Sequence, residues 1–268
     1  AFYKEEHNHV HSDIRGTYSG FRENLTLCGE PVADIGTAFQ DIDTLFDPAN
    51  LNPIVVVGLV GQRGFILLRS NPASVGEISL LNEECTEIEG SKAISGLTVL
   101  QGYIFDLDKD GELEESEKKD YILVAHQKGG VLIYDVTDRE NIDLVGRVKM
   151  PGLVNALSVD RETRRLLVSG GAAGFYVVDL DVAPTLAFLD DDLDGKDDRI
   201  LESVALTGNT NANVRLVPEL GLAFAGGLNR GLTTVAVGYP RIQAIARGND
   251  GRYREVKRLA PFGVPTAK

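Results

Sequence analysis

Residues 121–136 read YILVAHQKGGVLIYDV and residues 165–180 read RLLVSGGAAGFYVVDL; in each, an apolar run meets a glycine-bearing turn and then a second apolar run. β-Branched and aromatic residues bounded by glycine favour strands over helices, so each unit predicts two strands joined by a tight turn. The same pattern recurs as IVVVGLVGQRGFILLR at 54–69 and LAFAGGLNRGLTTVAV at 222–237. The glycine ahead of the second strand is Gly64, Gly130, Gly174 or Gly231, at successive separations of 66, 44 and 57 residues. A 44-residue spacing suits a blade of four short strands. The chain therefore reads as all-β: a β-propeller, or another stacked β-array, with four recognisable blades over residues 51–268, either partial or completed by other sequence.

The two longer separations hold the most acidic parts of the chain. The first contains DLDKDGELEESE at 106–117 and the second DDDLDGKDDRILE at 190–202, with seven acids in each. Taking these as insertions between strands of adjacent blades makes the repeat nearly regular. The upstream GLTVLQGYIF (96–105) reads as strand, so no helix-loop-helix is needed around the first cluster. Like charges this close need open solvent around them or a cation among them.

Spacing favours the cation. In 106–117, Asp106, Asp108 and Asp110 alternate, Gly111 holds the sixth place and Glu117 the twelfth, and this resembles the calcium loop of the EF-hand family. The resemblance implies side-chain ligands from Asp106, Asp108, Asp110 and Glu114, a carbonyl from Glu112, a bidentate Glu117, and an inward-facing Leu113. In 190–202, Asp190, Asp192, Asp194, Gly195 and Asp198 repeat positions one, three, five, six and nine, and Lys196 offers the seventh-position carbonyl. Leu201 stands at the twelfth place, so Glu202 or Asp197 would have to close the shell. This second loop is more similar to thrombospondin-like and dockerin-like calcium modules. For both loops the competing account is a solvated acidic turn.

The stretch from Gly129 to Asp181 also resembles two consecutive repeats of the LVIVD type, through Gly-x-x-[IV]-[YV]-Asp at Gly130–Asp135 and Gly174–Asp179. The likeness covers about residues 119–182 and weakens over 54–101 and 215–245, where Arg69 and Ala236 replace the Asp. It is absent from the first fifty residues. What it implies is a bacterial secreted or cell-surface β-propeller.

Composition agrees with a folded, non-nucleic-acid-binding chain. Of 268 residues, 43% are hydrophobic and 25% charged, and the formal charge is −13. Without a basic stripe to offset that charge, nucleic acid is excluded as a partner. No stretch is long enough to predict a transmembrane helix, and no signal peptide is visible. The chain begins with Ala, which reads as a processed or excised piece. Cys28 and Cys85 make an even count, consistent with a disulfide in an oxidising, calcium-rich extracellular setting or with two buried thiols. Residues 1–50 read as a separate N-terminal segment. There Ile35, Phe39, Ile42 and Phe46 are spaced as on one short amphipathic helix.

Catalytic signals are weak. His7, His9 and His11 alternate as zinc ligands on a strand would, but a solvent-facing polar terminus accounts for them as well. HVHSD is similar to the PHP phosphoesterase signature, yet His126 is the only histidine left to complete such a site. His126 itself reads as a loop or rim position. Ser158 and Ser169 lack a nucleophile elbow, and Gly170-Gly171 belongs to a turn. Two functions follow: a non-catalytic calcium-stabilised binding, adhesion or assembly module, or a calcium-dependent propeller hydrolase of phosphoesterase or lactonase type. For the former, the partner is left open among a protein, a glycan and a neighbouring domain of a larger parent chain.

Overall fold

The computed structural model describes residues 93–204 without interruption. Outside that span it describes residues 26–27, 30–31, 39–46, 54–60, 64–70, 78–88, 91, 214–217, 222–227, 231–238, 241–247 and 253–261. Among them the protein is all-β. Strands β1 (Thr26–Leu27) and β2 (Glu30–Pro31) form a two-stranded ladder. The first sheet runs β3 (Phe39–Phe46), β4 (Ile54–Val60), β5 (Gly64–Ser70) and β6 (Ile78–Cys85). The second runs β7 (Ile94–Ile104), β8 (Lys118–His126), β9 (Gly130–Asp135) and β10 (Asp143–Val148). The third runs β11 (Ala156–Asp160), β12 (Arg165–Ser169), β13 (Phe175–Asp179) and β14 (Ile200–Val204). The fourth has five strands: β15 (Val214–Val217), β16 (Leu222–Gly227), β17 (Gly231–Gly238), β18 (Arg241–Arg247) and β19 (Tyr253–Pro261). Each sheet is an antiparallel meander in chain order, and none closes on itself.

The repeated sequence unit is the second and third strands of every sheet: β4–β5, β8–β9, β12–β13 and β16–β17. These inner strands need the longest apolar runs because both faces are covered. Residues 121–126 of β8 and 130–134 of β9 are all buried. Gly130 is required at its turn: its φ is +90°, and a Cβ there would lie 2.1 Å from the Val148 carbonyl oxygen.

Two compact units emerge: residues 1–92 with 138–142, and residues 93–137 with 143–268. In the first, Leu45 and the run Phe65–Leu68 are buried, and the Asn82 side-chain amide donates to the carbonyls of Arg139 and Glu140 at 3.1 and 3.0 Å. Cys85 is disulfide-bonded; Cys28, the other cysteine, lies outside the described residues.

Of the four residues expected on one short helix, Phe39, Ile42 and Phe46 belong instead to β3, paired antiparallel with β4, so the first sheet reaches across residue 50; Ile35 lies outside the described residues. Ile42 and Phe46, assigned to a buried helical face, are exposed, and Leu45 is the buried residue. On an edge strand the period is two. An apolar residue on the open face then mimics helical spacing.

In the second unit, β11 packs against β7 and β8, and β15 against β11 and β12. Leu123, Ile133, Leu166 and Val178 belong to one core joining the second and third sheets, and Leu167, Val177, Val214 and Ala223 to another joining the third and fourth. Each fully buried aliphatic side chain here contributes about 1.5–3 kcal/mol. Tyr103, Phe105 and Tyr121 stack edge to face along the first core, with ring centroids 4.8 and 5.0 Å apart.

Burial pushes the Tyr103 phenol up to about 12, and it raises Tyr121 and Tyr176 as well. An unfolded tyrosine ionises near 10. Above that pH the unfolded chain releases protons that the native state still holds, so stability should fall as pH rises from about 10 toward 12. Urea unfolding at pH 9 and at pH 11 measures this, and an unchanged midpoint would contradict it.

Candidate metal centres

Both acid clusters lie inside sheets, not between them. Residues 106–117 connect β7 to β8, and residues 190–198 lie in the β13–β14 connection; each pair of strands is neighbouring within one sheet. The expectation of insertions between adjacent blades is thus corrected. A hairpin tolerates a long excursion because its flanking strands are already held together by their ladder.

The two loops fold alike. In the first, Asp106 accepts from the N–H groups of Asp110 and Gly111, Asp108 from Asp110, and Asp110 from Glu112. In the second, Asp190 accepts from Gly195, Asp192 from Asp194, and Asp194 from Lys196. Positions four and six have left-handed backbone in both: Lys109 at φ 64° and Gly111 at 88°, Leu193 at 60° and Gly195 at 81°. Such curvature turns alternate side chains to one side. One carboxylate oxygen from each of Asp106, Asp108 and Asp110 lies within 4.8 Å of the others, and the same holds for Asp190, Asp192 and Asp194. Clusters of hard oxygen donors with open sides suit a divalent cation such as calcium.

The loops differ in how they close. In the first, Glu117 is only 8% exposed. Its Oε1 accepts from the N–H groups of Leu107 and Asp108 at 2.5 and 3.3 Å, and its Oε2 from Glu114 at 3.3 Å. It ends a one-turn 3-10 segment, Glu115–Glu117, with Glu114 as the N-cap. Glu114 accepts from the Ser116 hydroxyl at 2.8 Å. Leu113, expected to face inward, is 51% exposed; the buried anchor is the twelfth residue, not the eighth. Asp108 is held above the usual carboxylate range: the Asp110 N–H lowers it, but desolvation and the charges of Asp110, Glu117 and Asp106 together raise it more. Replacing Glu117 by Ala orphans three loop N–H groups and should cost about 2–3 kcal/mol in a urea melt. A loss below about 0.5 kcal/mol would mean the loop closes without it.

In the second loop the eighth residue is the anchor. Asp197 is 1% and Arg199 2% exposed. They form a fork: Arg199 Nε to Asp197 Oδ1 and Arg199 Nη2 to Asp197 Oδ2, both 2.7 Å. Asp197 is thereby committed to Arg199, which leaves it unsuited to the closing role considered from sequence. Glu202, the other candidate, is on β14 opposite Val177, and Leu201 is half-buried beside it. Asp198 accepts from the Asp191 N–H at 2.7 Å and so ties the loop's start to its ninth residue. Lys196 donates to Asp194 at 2.8 Å; that bond lowers the Asp194 carboxyl and raises the Lys196 ammonium.

Arg164 brings the roots of both excursions together. Its Nη2 donates to the Ile104 carbonyl at 2.8 Å, at the end of β7, and to the Leu180 carbonyl at 3.4 Å; its Nε pairs with Asp181. Its guanidinium also lies 4.6 Å from the Tyr103 ring centroid. The two acid loops therefore leave their sheets at the same end. Local spacing could not reveal this, because it depends on the packing of β11 against β7 and β8.

His126 is not a rim residue: it is fully buried at the end of β8, where its Nδ1 accepts from the Gly129 N–H at 2.7 Å. That bond completes a turn. His7, His9 and His11 lie outside the described residues. No helix among the described residues is long and apolar enough to cross a membrane. No family model and no curated protein matches the chain.

Proposed function

We propose that this chain is a calcium-binding, non-catalytic β-propeller module of the secreted or cell-surface kind, serving as a scaffold for binding or assembly. The observation that carries the calcium reading is the likeness of the two loops, each gathering three aspartate oxygens within 4.8 Å and sharing the bonds from the sixth N–H to the first Asp, the fifth to the third and the seventh to the fifth. Four antiparallel meanders, repeated along the chain with their first strands β7, β11 and β15 packed in succession, support the blade reading. The disulfide at Cys85 supports an oxidising compartment. Asp106, Asp108, Asp110, Glu114 and Glu117, with the Glu112 carbonyl, are assigned to one ion. Asp190, Asp192, Asp194 and Asp198, with the Lys196 carbonyl, are assigned to the other. The acids sit in two local loops at one end of neighbouring sheets, an arrangement that suits bracing better than polarising a substrate. The partner class is a protein, a glycan or an adjoining domain of a parent chain.

Calorimetric titration of EDTA-stripped protein tests the assignment. Two calcium ions per chain are expected, falling to one in Asp108→Asn and to one in Asp192→Asn. A wild-type chain that takes up no calcium would end the reading.

A further inference from the structure

Asp–Gly peptide bonds occur at Asp110–Gly111, Asp194–Gly195 and Asp250–Gly251, and the last lies outside the described residues. At such a bond the glycine nitrogen can attack the carboxyl carbon of the aspartate before it, because the glycine has no side chain to crowd the approach. In both acid loops the aspartate and the glycine are exposed, and a Cβ built on either glycine would meet nothing within 4 Å. The two nitrogens are placed alike: Gly111 donates to Asp106 Oδ2 at 2.9 Å, and Gly195 to the two oxygens of Asp190 at 3.3 and 3.2 Å. The two carboxylates are not. Asp110 accepts the Glu112 N–H on Oδ1 at 2.8 Å, and no described residue donates to its Oδ2. Asp194 accepts the Lys196 N–H on Oδ1 at 2.8 Å and the Lys196 ammonium on Oδ2, also at 2.8 Å.

We propose that Asp110 is a site of spontaneous isoaspartate formation, and that Lys196 spares Asp194, its counterpart in the second loop, from the same change. The Gly111 nitrogen bonds to Cγ of Asp110, and one carboxylate oxygen leaves as water, taking the N–H proton and one proton from solvent. Water then opens the five-membered ring at the main-chain carbonyl of residue 110, so the chain runs on through the former side-chain carbonyl and the main-chain carboxylate is released. No oxidant or cofactor enters the step. Lys196 must let go of Asp194 before an oxygen there can leave, whereas the second oxygen of Asp110 has no such partner. The change inserts one carbon into the main chain at residue 110 and so moves its carboxylate away from Asp106 and Asp108. The inference goes beyond the calcium reading and does not depend on it.

The test ages EDTA-stripped protein at neutral pH and reads isoaspartate in each loop by peptide mapping, with a protein isoaspartyl methyltransferase and labelled S-adenosylmethionine as the probe. Isoaspartate should accumulate at Asp110 about two- to fivefold faster than at Asp194, the rate ratio equivalent to one exposed ion pair. Lys196→Met, a change at an exposed side chain, should bring Asp194 up to the rate of Asp110 and leave Asp110 unaltered. In urea, with both loops unfolded, the two wild-type rates should converge. No isoaspartate at Asp110, a rate at Asp194 equal to or above it in the folded protein, a rate at Asp194 indifferent to Lys196→Met, or a difference that persists in urea would each overturn the proposal.

Discussion

Ten millimolar calcium should raise the melting temperature of EDTA-stripped protein by about 10–20 °C, in the transition of the unit that carries both loops. The native fold holds three aspartates of each loop within 4.8 Å of one another, and without a cation it bears their repulsion. The raised Asp108 carboxyl is one sign of that crowding. Unfolding spreads the acids and would destroy both proposed sites, so calcium should bind the native state almost alone. A site with a dissociation constant of about 0.1 mM, at the tight end of the extracellular range, contributes about 2.7 kcal/mol at this concentration, and two contribute about 5. For a domain of this size each kcal/mol moves the midpoint by about 2–4 °C. A variant carrying both Asp108→Asn and Asp192→Asn should lose most of the gain. Coincident wild-type melting curves with and without calcium would eliminate both sites.

The fold was most legible where a residue's neighbours along the chain decide its state. The hairpin units at 121–136 and 165–180 were readable because their strands are buried on both faces and so carry unbroken apolar runs, and because Gly130 and Gly174, at φ +90° and +108°, have to be glycine. The aspartate positions were readable for a similar reason, since loop curvature is set by alternate Asp side chains bonding the backbone two residues ahead. Long-range pairing hid the rest. In β3, Ile42 and Phe46 sit on an open sheet face and so imitate helical spacing, and glycine spacing cannot say which strands flank an insertion, so it does not distinguish acid loops between blades from acid loops within one sheet. Leu113, expected to face inward at the eighth position, is exposed, whereas the eighth residue of the other loop, Asp197, is buried with Arg199, which looks in sequence like one more surface charge. A buried arginine leaves no local signature: its burial is decided by the β10 edge lying beneath it.

That arginine should be the most sensitive position in the second unit. Arg199 is the largest fully buried side chain among the described residues, and its guanidinium joins Asp197 to the carbonyl of Arg147 at 2.6 Å, with longer bonds to Thr185 and Ala187 at 3.4 Å. Arg199→Met keeps much of the volume but leaves the Asp197 carboxylate buried beside an apolar chain, with only backbone N–H groups from Lys149 and Arg199 itself. Removing one partner of a buried pair costs about 3–5 kcal/mol, chiefly through the stranded charge. Arg199→Lys should fall between wild type and Met, because an ammonium restores the charge but not the planar fork. The charge can also be removed from both sides: Asp197→Leu combined with Arg199→Met should recover a large part of the loss, since two apolar groups strand nothing. Urea unfolding of the three variants separates these terms. If Arg199→Met lies within 1 kcal/mol of wild type, the fork does not hold the second acid loop to its sheet, and the loop must be held by Asp198 and Asp190 alone.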